Sequence, residues 1–142
     1  PVDGVVLIAP AVDMTERLMW RRLPDEARKA IAEDGVFWRP SAYGDGPYPI
    51  TRTLIDDGRR HLLHGAPFDY AGPVHILHGA RDSDVPVSES SHLGALLTSA
   101  DLSVTIIPDG DHRLSRPADI KTLMDAIDAM VTRVDGNHSP AA

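Results

Sequence analysis

The chain of 142 residues contains no cysteine. That excludes a disulfide framework, a thiol nucleophile and a cysteine-based zinc site. Positive charge is also scarce: 14 Lys and Arg stand against 21 Asp and Glu, a formal charge of −7. Binding to a phosphate backbone needs a clustered cationic excess, so no nucleic-acid partner is expected. The basic pairs Arg21–Arg22 and Arg59–Arg60 read as solvated helix faces. No apolar run approaches the roughly 18 residues that a membrane-crossing helix needs, and no signal-peptide or lipidation pattern occurs. The expectation is a soluble, cytoplasmic protein without a membrane span. Aromatic residues number only seven, and all lie between positions 13 and 71.

What is present is a rhythm. Three short β-branched runs, "GVVLIAP" (4–10), "GPVHILHG" (72–79) and "LSVTIIP" (102–108), are nearly unbroken and close on Pro or Gly. Strands buried on both faces read this way. Between the second and third lies a helical segment at 86–100, with Ser88 as a candidate cap. After the third, residues 115–134 form another, with Ser115 as the candidate cap and Pro117 and Asp119 in the first turn. Ile120, Leu123, Met124, Ile127, Val131 and Val134 fall at helical spacing and predict one buried face. Strand, helix, strand, helix implies an α/β fold with a three-stranded parallel sheet. Its core is expected from 1–12 and 72–136, with a flexible tail at 137–142.

Residues 13–71 interrupt that rhythm. Helices are expected at 23–35, with Pro24 near the start and Gly35 at the stop, and at 49–63. The segment "FWRPSAYGDGPYP" between them reads as irregular. The crowding of Trp20, Phe37, Trp38, Tyr43, Tyr48, Phe68 and Tyr70 here suits either a ligand lid or a small core of the insertion's own.

The second strand ends in "HGARDSDVPV" and the third in "DGDHRLS". Asp82 and His112 therefore sit in loops at the carboxyl ends of neighbouring strands, about 4.8 Å apart in a sheet. Open α/β sheets place their chemistry at that edge. A carboxylate aimed at an imidazole fixes its tautomer and stabilises its protonated form, and an unperturbed imidazole, with a pKa of about 6.5, exchanges protons near neutrality. Asp84 competes for the acid role, while Asp109 and Asp111 read as turn formers. A metal site on His75, His78 and Asp82 is disfavoured, because residues three apart on a strand point to opposite faces. His61, His64, His92 and His138 read as surface residues.

"GARDSDVP" fits the G-x-x-D-x-x-V-P pattern around the catalytic acid of α/β-hydrolases, and "DGDHRLS" resembles the loop of their catalytic histidine. With "LIAPA", these motifs make the whole chain similar to the C-terminal half of small abhydrolase esterases and palmitoyl-protein thioesterases. The resemblance implies a partial α/β-hydrolase fold in which 13–71 is the helical cap. It also implies a serine-dependent attack on a small acyl ester or thioester, through an acyl-enzyme and without metal or organic cofactor. Asp82 would be the acid and His112 the base. The family's nucleophile stands in G-x-S-x-G, which none of the nine serines matches. The chain is therefore expected to be a piece of such an enzyme, inactive alone. The strand at 4–10 would then expose an apolar edge that recruits a second copy or the missing N-terminal half. The alternative is a non-catalytic module that binds a ligand or protein partner through the aromatic insertion.

Overall fold

The computed structural model describes residues 2–41, 44, 46–63, 65–67, 69–98 and 101–138, with only the backbone described at 137 and 138. His64, Ser99, the aromatics Tyr43 and Phe68, the tail from 139 and the His138 side chain lie outside the described set. In chain order the elements are β1 (Val5–Ile8), α1 (Asp25–Asp34), β2 (Val36–Arg39), β3 (Tyr48–Thr51), α2 (Arg52–Arg59), β4 (Val74–Gly79), α3 (Ser88–Leu96), β5 (Leu102–Ile107) and α4 (Pro117–His138). Two compact units result, one from residues 2–11 and 65–138, the other from 12–63.

The first unit is built on a parallel sheet of order β1-β4-β5. The central strand β4 explains the unbroken apolar run, since Val74, Ile76, Leu77 and His78 are all buried. Its helices cover opposite faces. On the face of His78 and Leu102 lies α3, whose Ser90 bonds to His78 and whose Gly94 sits against Leu102. On the other lies α4, where Leu77, Leu114 and Ala126 form a buried cluster joined by Val6, Ile107 and Leu123. Each such aliphatic side chain removed from water contributes about 1.5–3 kcal/mol. Among the described residues β1 pairs only with β4 and is an edge of this sheet.

Two local expectations are corrected here. The core face of α4 runs along Asp119, Ala126 and Met130, while Ile120 (49%), Met124 (52%), Ile127 (37%) and Val131 (53%) are exposed. The apolar stripe is wider than the strip of helix that meets the sheet, so spacing alone misplaced its buried side by about one residue. Nor does Ser115 cap α4. Asp119 instead reaches back to accept the N–H of Arg116 at 3.2 Å, the carboxylate half of a capping box. α3 likewise starts without a side-chain cap from Ser88.

The second unit holds its own core of Leu23, Ala27, Ile31, Ile50 and Ile55, packed by Met19, Trp20 and Phe37. α1 ends at Gly35, whose φ of +80° is the left-handed stop that glycine adopts freely. The segment expected to be irregular forms strands at its ends: β2 and β3 pair as an antiparallel hairpin, with Phe37 opposite Ile50. Thr51 closes β3 and caps α2 by accepting the Leu54 N–H at 3.1 Å. This shortens the expected 49–63 helix to eight residues. Among the described residues, no helix is long and apolar enough to cross a membrane.

Candidate active site

The site begins with two loops drawn together by backbone. Ala80 N–H donates to Ile107 O at 2.8 Å and Arg81 N–H to Gly110 O at 2.9 Å, tying the end of β4 to the end of β5. This puts Asp82 and His112 side by side. His112 Nδ1 lies 2.9 Å from Asp82 Oδ2. The other carboxylate oxygen, Oδ1, accepts the N–H groups of Asp84 (2.9 Å) and Val85 (2.8 Å). Asp84, the competing acid, thus contributes its backbone to holding Asp82, and the bond to the imidazole is made by Asp82.

The Asp82 side chain is completely buried, while that of His112 is 41% exposed. Burial alone raises the Asp82 carboxyl's pKa. The hydrogen bonds from Val85, His112 and Asp84, with the attraction of His112, outweigh it and hold the carboxyl below its ordinary value. A carboxylate oxygen facing Nδ1 dictates an N–H there, which leaves Nε2 as the lone-pair nitrogen of the neutral ring. Among the described residues nothing bonds to that Nε2. The pair is a buried anion behind a half-exposed proton acceptor.

The loop carrying His112 is braced at both ends. Asp111 Oδ1 accepts the N–H groups of Arg113 and Leu114, a local turn. Leu114 has a φ of +42°, a conformation that L side chains rarely adopt, and its side chain is buried in the α4 cluster. Arg116 grips Asp119 through Nε (2.8 Å) and a terminal nitrogen (2.7 Å), and bonds Asp109 as well. Its hydrogen bonds hold both carboxyls below their ordinary values. Asp111 is a turn former as expected; Asp109 is an ion-pair partner.

His75 and His78 do not converge. His75 Nε2 lies 2.9 Å from Thr105 Oγ1, while His78 Nδ1 lies 2.6 Å from Ser90 Oγ on the other face. Ligand atoms of Asp82, Asp84 and His112 do fall within 4.8 Å of one another. A cation bound through His112 Nδ1 would displace the proton that joins His112 to Asp82. His92 is not a simple surface residue, since its Nε2 is buried with no hydrogen-bond partner among the described residues. The sequence reading missed the roles of His78, Ser90 and Arg116. The signal for His78 was a polar ring inside a strand otherwise buried on both faces, where a partner is obligatory.

No family model matches the chain. Curated proteins do. Mitochondrial palmitoyl-protein thioesterase ABHD10 from Bos taurus is 33% identical over 136 residues, and the Homo sapiens protein of that name is 30% identical over 134. Each match covers 94% of this chain and 44% of the relative. A hydrolase structure from Agrobacterium vitis S4, described as putative, superposes with a TM-score of 0.87 at 44% identity, over 92% of this chain and 50% of that one. The chain has about half of an α/β-hydrolase fold. It spans about half the length of the curated relatives it matches. Mouse α/β hydrolase domain-containing protein 10 agrees, with a TM-score of 0.80 at 31% identity over 92% of this chain and 52% of its own.

Within this fold the aromatic residues of 13–71 have several destinations. Trp20 and Phe37 pack the core of the second unit, while Trp38 and Tyr48 on the hairpin are exposed. Tyr70 belongs to the first unit and donates to Val2 O at 3.1 Å. Two hollows of the second unit, about 260 and 230 Å³, are smaller than the roughly 300–1,000 Å³ of ordinary ligand pockets. The smaller is walled by Trp20 and Arg59, whose guanidinium stacks over that ring at 4.7 Å and pairs with Glu16. A third, about 400 Å³, is lined by Pro40, Ser41, Gly44, Gly46 and Pro47.

Proposed function

We propose that this chain supplies the acid and the general base of a serine hydrolase that cleaves carboxylic esters or thioesters. Its nucleophile stands outside these 142 residues. One observation carries the reading: a buried carboxylate holds Nδ1 of a half-exposed imidazole at 2.9 Å, at the carboxyl ends of adjoining parallel strands. The thioester option draws on the name of the curated relatives, palmitoyl-protein thioesterase.

In this mechanism Asp82 keeps the proton of His112 on Nδ1, so Nε2 accepts the serine hydroxyl proton as the oxygen attacks the acyl carbon. The carbonyl π electrons move to oxygen, and the tetrahedral adduct collapses to an acyl-enzyme. His112 then returns its proton to the departing alcohol or thiol. Water repeats the sequence to release the acid. Asp82 stays ionised throughout and offsets the positive charge on the ring. In the same reading, the open edge of β1 receives the preceding strand of the longer hydrolase rather than a second copy.

The test expresses the full reading frame that carries this sequence and treats it with a fluorophosphonate probe. Labelling of a serine is expected, with turnover of short acyl esters or acyl thioesters. His112→Ala is expected to lower kcat on the order of 10⁴-fold, and Asp82→Asn by a similar factor. Retained turnover in folded His112→Ala protein would overturn the assignment.

A further inference from the structure

Beneath the acid lies a second imidazole that the mechanism does not use. His78, at the end of β4, is 0% exposed. Its Nδ1 is 2.6 Å from Ser90 Oγ, and its Nε2 is 2.9 Å from Val85 O and 3.4 Å from Asp82 Oδ2. We infer that His78, held by Ser90 as the neutral Nε2–H tautomer, is a positioning residue for Asp82.

A carbonyl oxygen only accepts, so the contact with Val85 places a hydrogen on Nε2. In the neutral ring Nδ1 holds the lone pair, and the fully buried Ser90 hydroxyl donates to it. Keeping the ring uncharged avoids burying a second ion beside Asp82. Val85 is gripped from both sides: its C=O accepts from His78, and its N–H donates to Asp82 Oδ1. The Nε2–H edge also faces Oδ2, the oxygen that receives His112. The carboxylate is thus held by Val85 and Asp84 at one oxygen and lies between two imidazoles at the other. Without His78, the Val85 carbonyl loses its buried donor and Asp82 gains freedom to turn away from His112.

This role rests on the hydrolase reading for its purpose, but its geometry is measurable without turnover. The first measurement is the ¹⁵N imidazole spectrum of the wild-type chain across neutral pH. The expected result is His78 protonated on Nε2 alone throughout; the opposite tautomer, or an imidazolium, overturns the inference. The second compares His78→Leu, which fills the space without a donor, with His78→Gln, whose amide nitrogen reaches toward Val85 O. In the folded chain, the downfield Nδ1–H proton signal of His112 is expected to vanish in His78→Leu and return in His78→Gln. In the full-length hydrolase, His78→Leu should lower kcat about 10- to 100-fold at constant KM, with Gln restoring most of it. An intact His112 signal and kcat in folded His78→Leu overturn the role. Should that variant not fold, the wild-type tautomer and the Gln variant decide. A failed hydrolase reading shows itself separately, as no fluorophosphonate labelling of any form.

Discussion

Gly79 and Gly110 touch backbone to backbone where β4 and β5 end. A Cβ on Gly79 would lie 2.4 Å from Gly110 O and 2.5 Å from Asp111 O. Those atoms belong to the loop that carries His112, so a methyl group there pushes the base away from the acid. Gly79→Ala is expected to lower unfolding free energy by about 1–3 kcal/mol in urea titration, with loss of the His112 Nδ1–H signal. Gly136, inside α4 with nothing within 4 Å of its Cβ position, is the control. Gly136→Ala should be neutral to stabilising by up to about 1 kcal/mol. Equal effects at the two positions would contradict the tight approach.

Asp82 makes stability depend on acidity in a defined direction. Its folded carboxyl sits below the ordinary value although burial opposes this, because the hydrogen bonds from Val85, His112 and Asp84 favour the anion. The folded state therefore binds this proton less readily than the unfolded chain, whose value is about 3.9. The resulting stabilisation is fully present above that pH and is lost as pH falls through the folded value. Denaturant titrations at descending pH should show the wild type losing stability more steeply than Asp82→Asn below about pH 4. Parallel curves would show that the carboxylate is not held as described.

How far the sequence revealed these features follows from what each residue needs. Asp82 and His112 were legible because both follow apolar runs that read as adjoining strands, and parallel topology then brings their loops together. The β2–β3 hairpin was hidden: Pro40, Gly44, Gly46 and Pro47 gave a loop signal strong enough to mask the short strands beside it. There Phe37 opposite Ile50 adds to a core gathered from Leu23 through Ile55, a tertiary gain that local propensity does not contain. The Ser-Arg-Pro turn marks the start of α4 to within two residues, but it points to Ser115 as the cap. Only the fold shows Asp119 buried and turned back to Arg116.

Arg116 is the brace on which the His112 loop and α4 both depend. It binds the buried Asp119 bidentately and reaches across to Asp109 on the far side of the loop. Arg116→Met keeps much of the side-chain volume but leaves the Asp119 carboxylate with only a backbone N–H from residue 116. The melting temperature should fall, and amide exchange at 111–114 should accelerate. Asp109→Asn, which alters an exposed partner, should do less on both measures. The reverse order would mean that the surface arm, not the buried one, carries the brace.

The exposed apolar stripe of α4 allows a direct comparison with the sheet it flanks. Leu77 is 1% exposed in the cluster with Leu114 and Ala126, whereas Met124, on the same helix as Ala126, is 52% exposed. Leu77→Ala leaves a cavity between sheet and helix and should cost about 2–5 kcal/mol. Met124→Ala removes a side chain that is half in water and installs the strongest helix former. In this chain its cost should stay within about 0.5 kcal/mol. Urea unfolding of both variants checks the pair. A Met124→Ala cost comparable to that of Leu77→Ala would mean that the stripe is covered in solution, and the face of α4 assigned to the core would have to be redrawn.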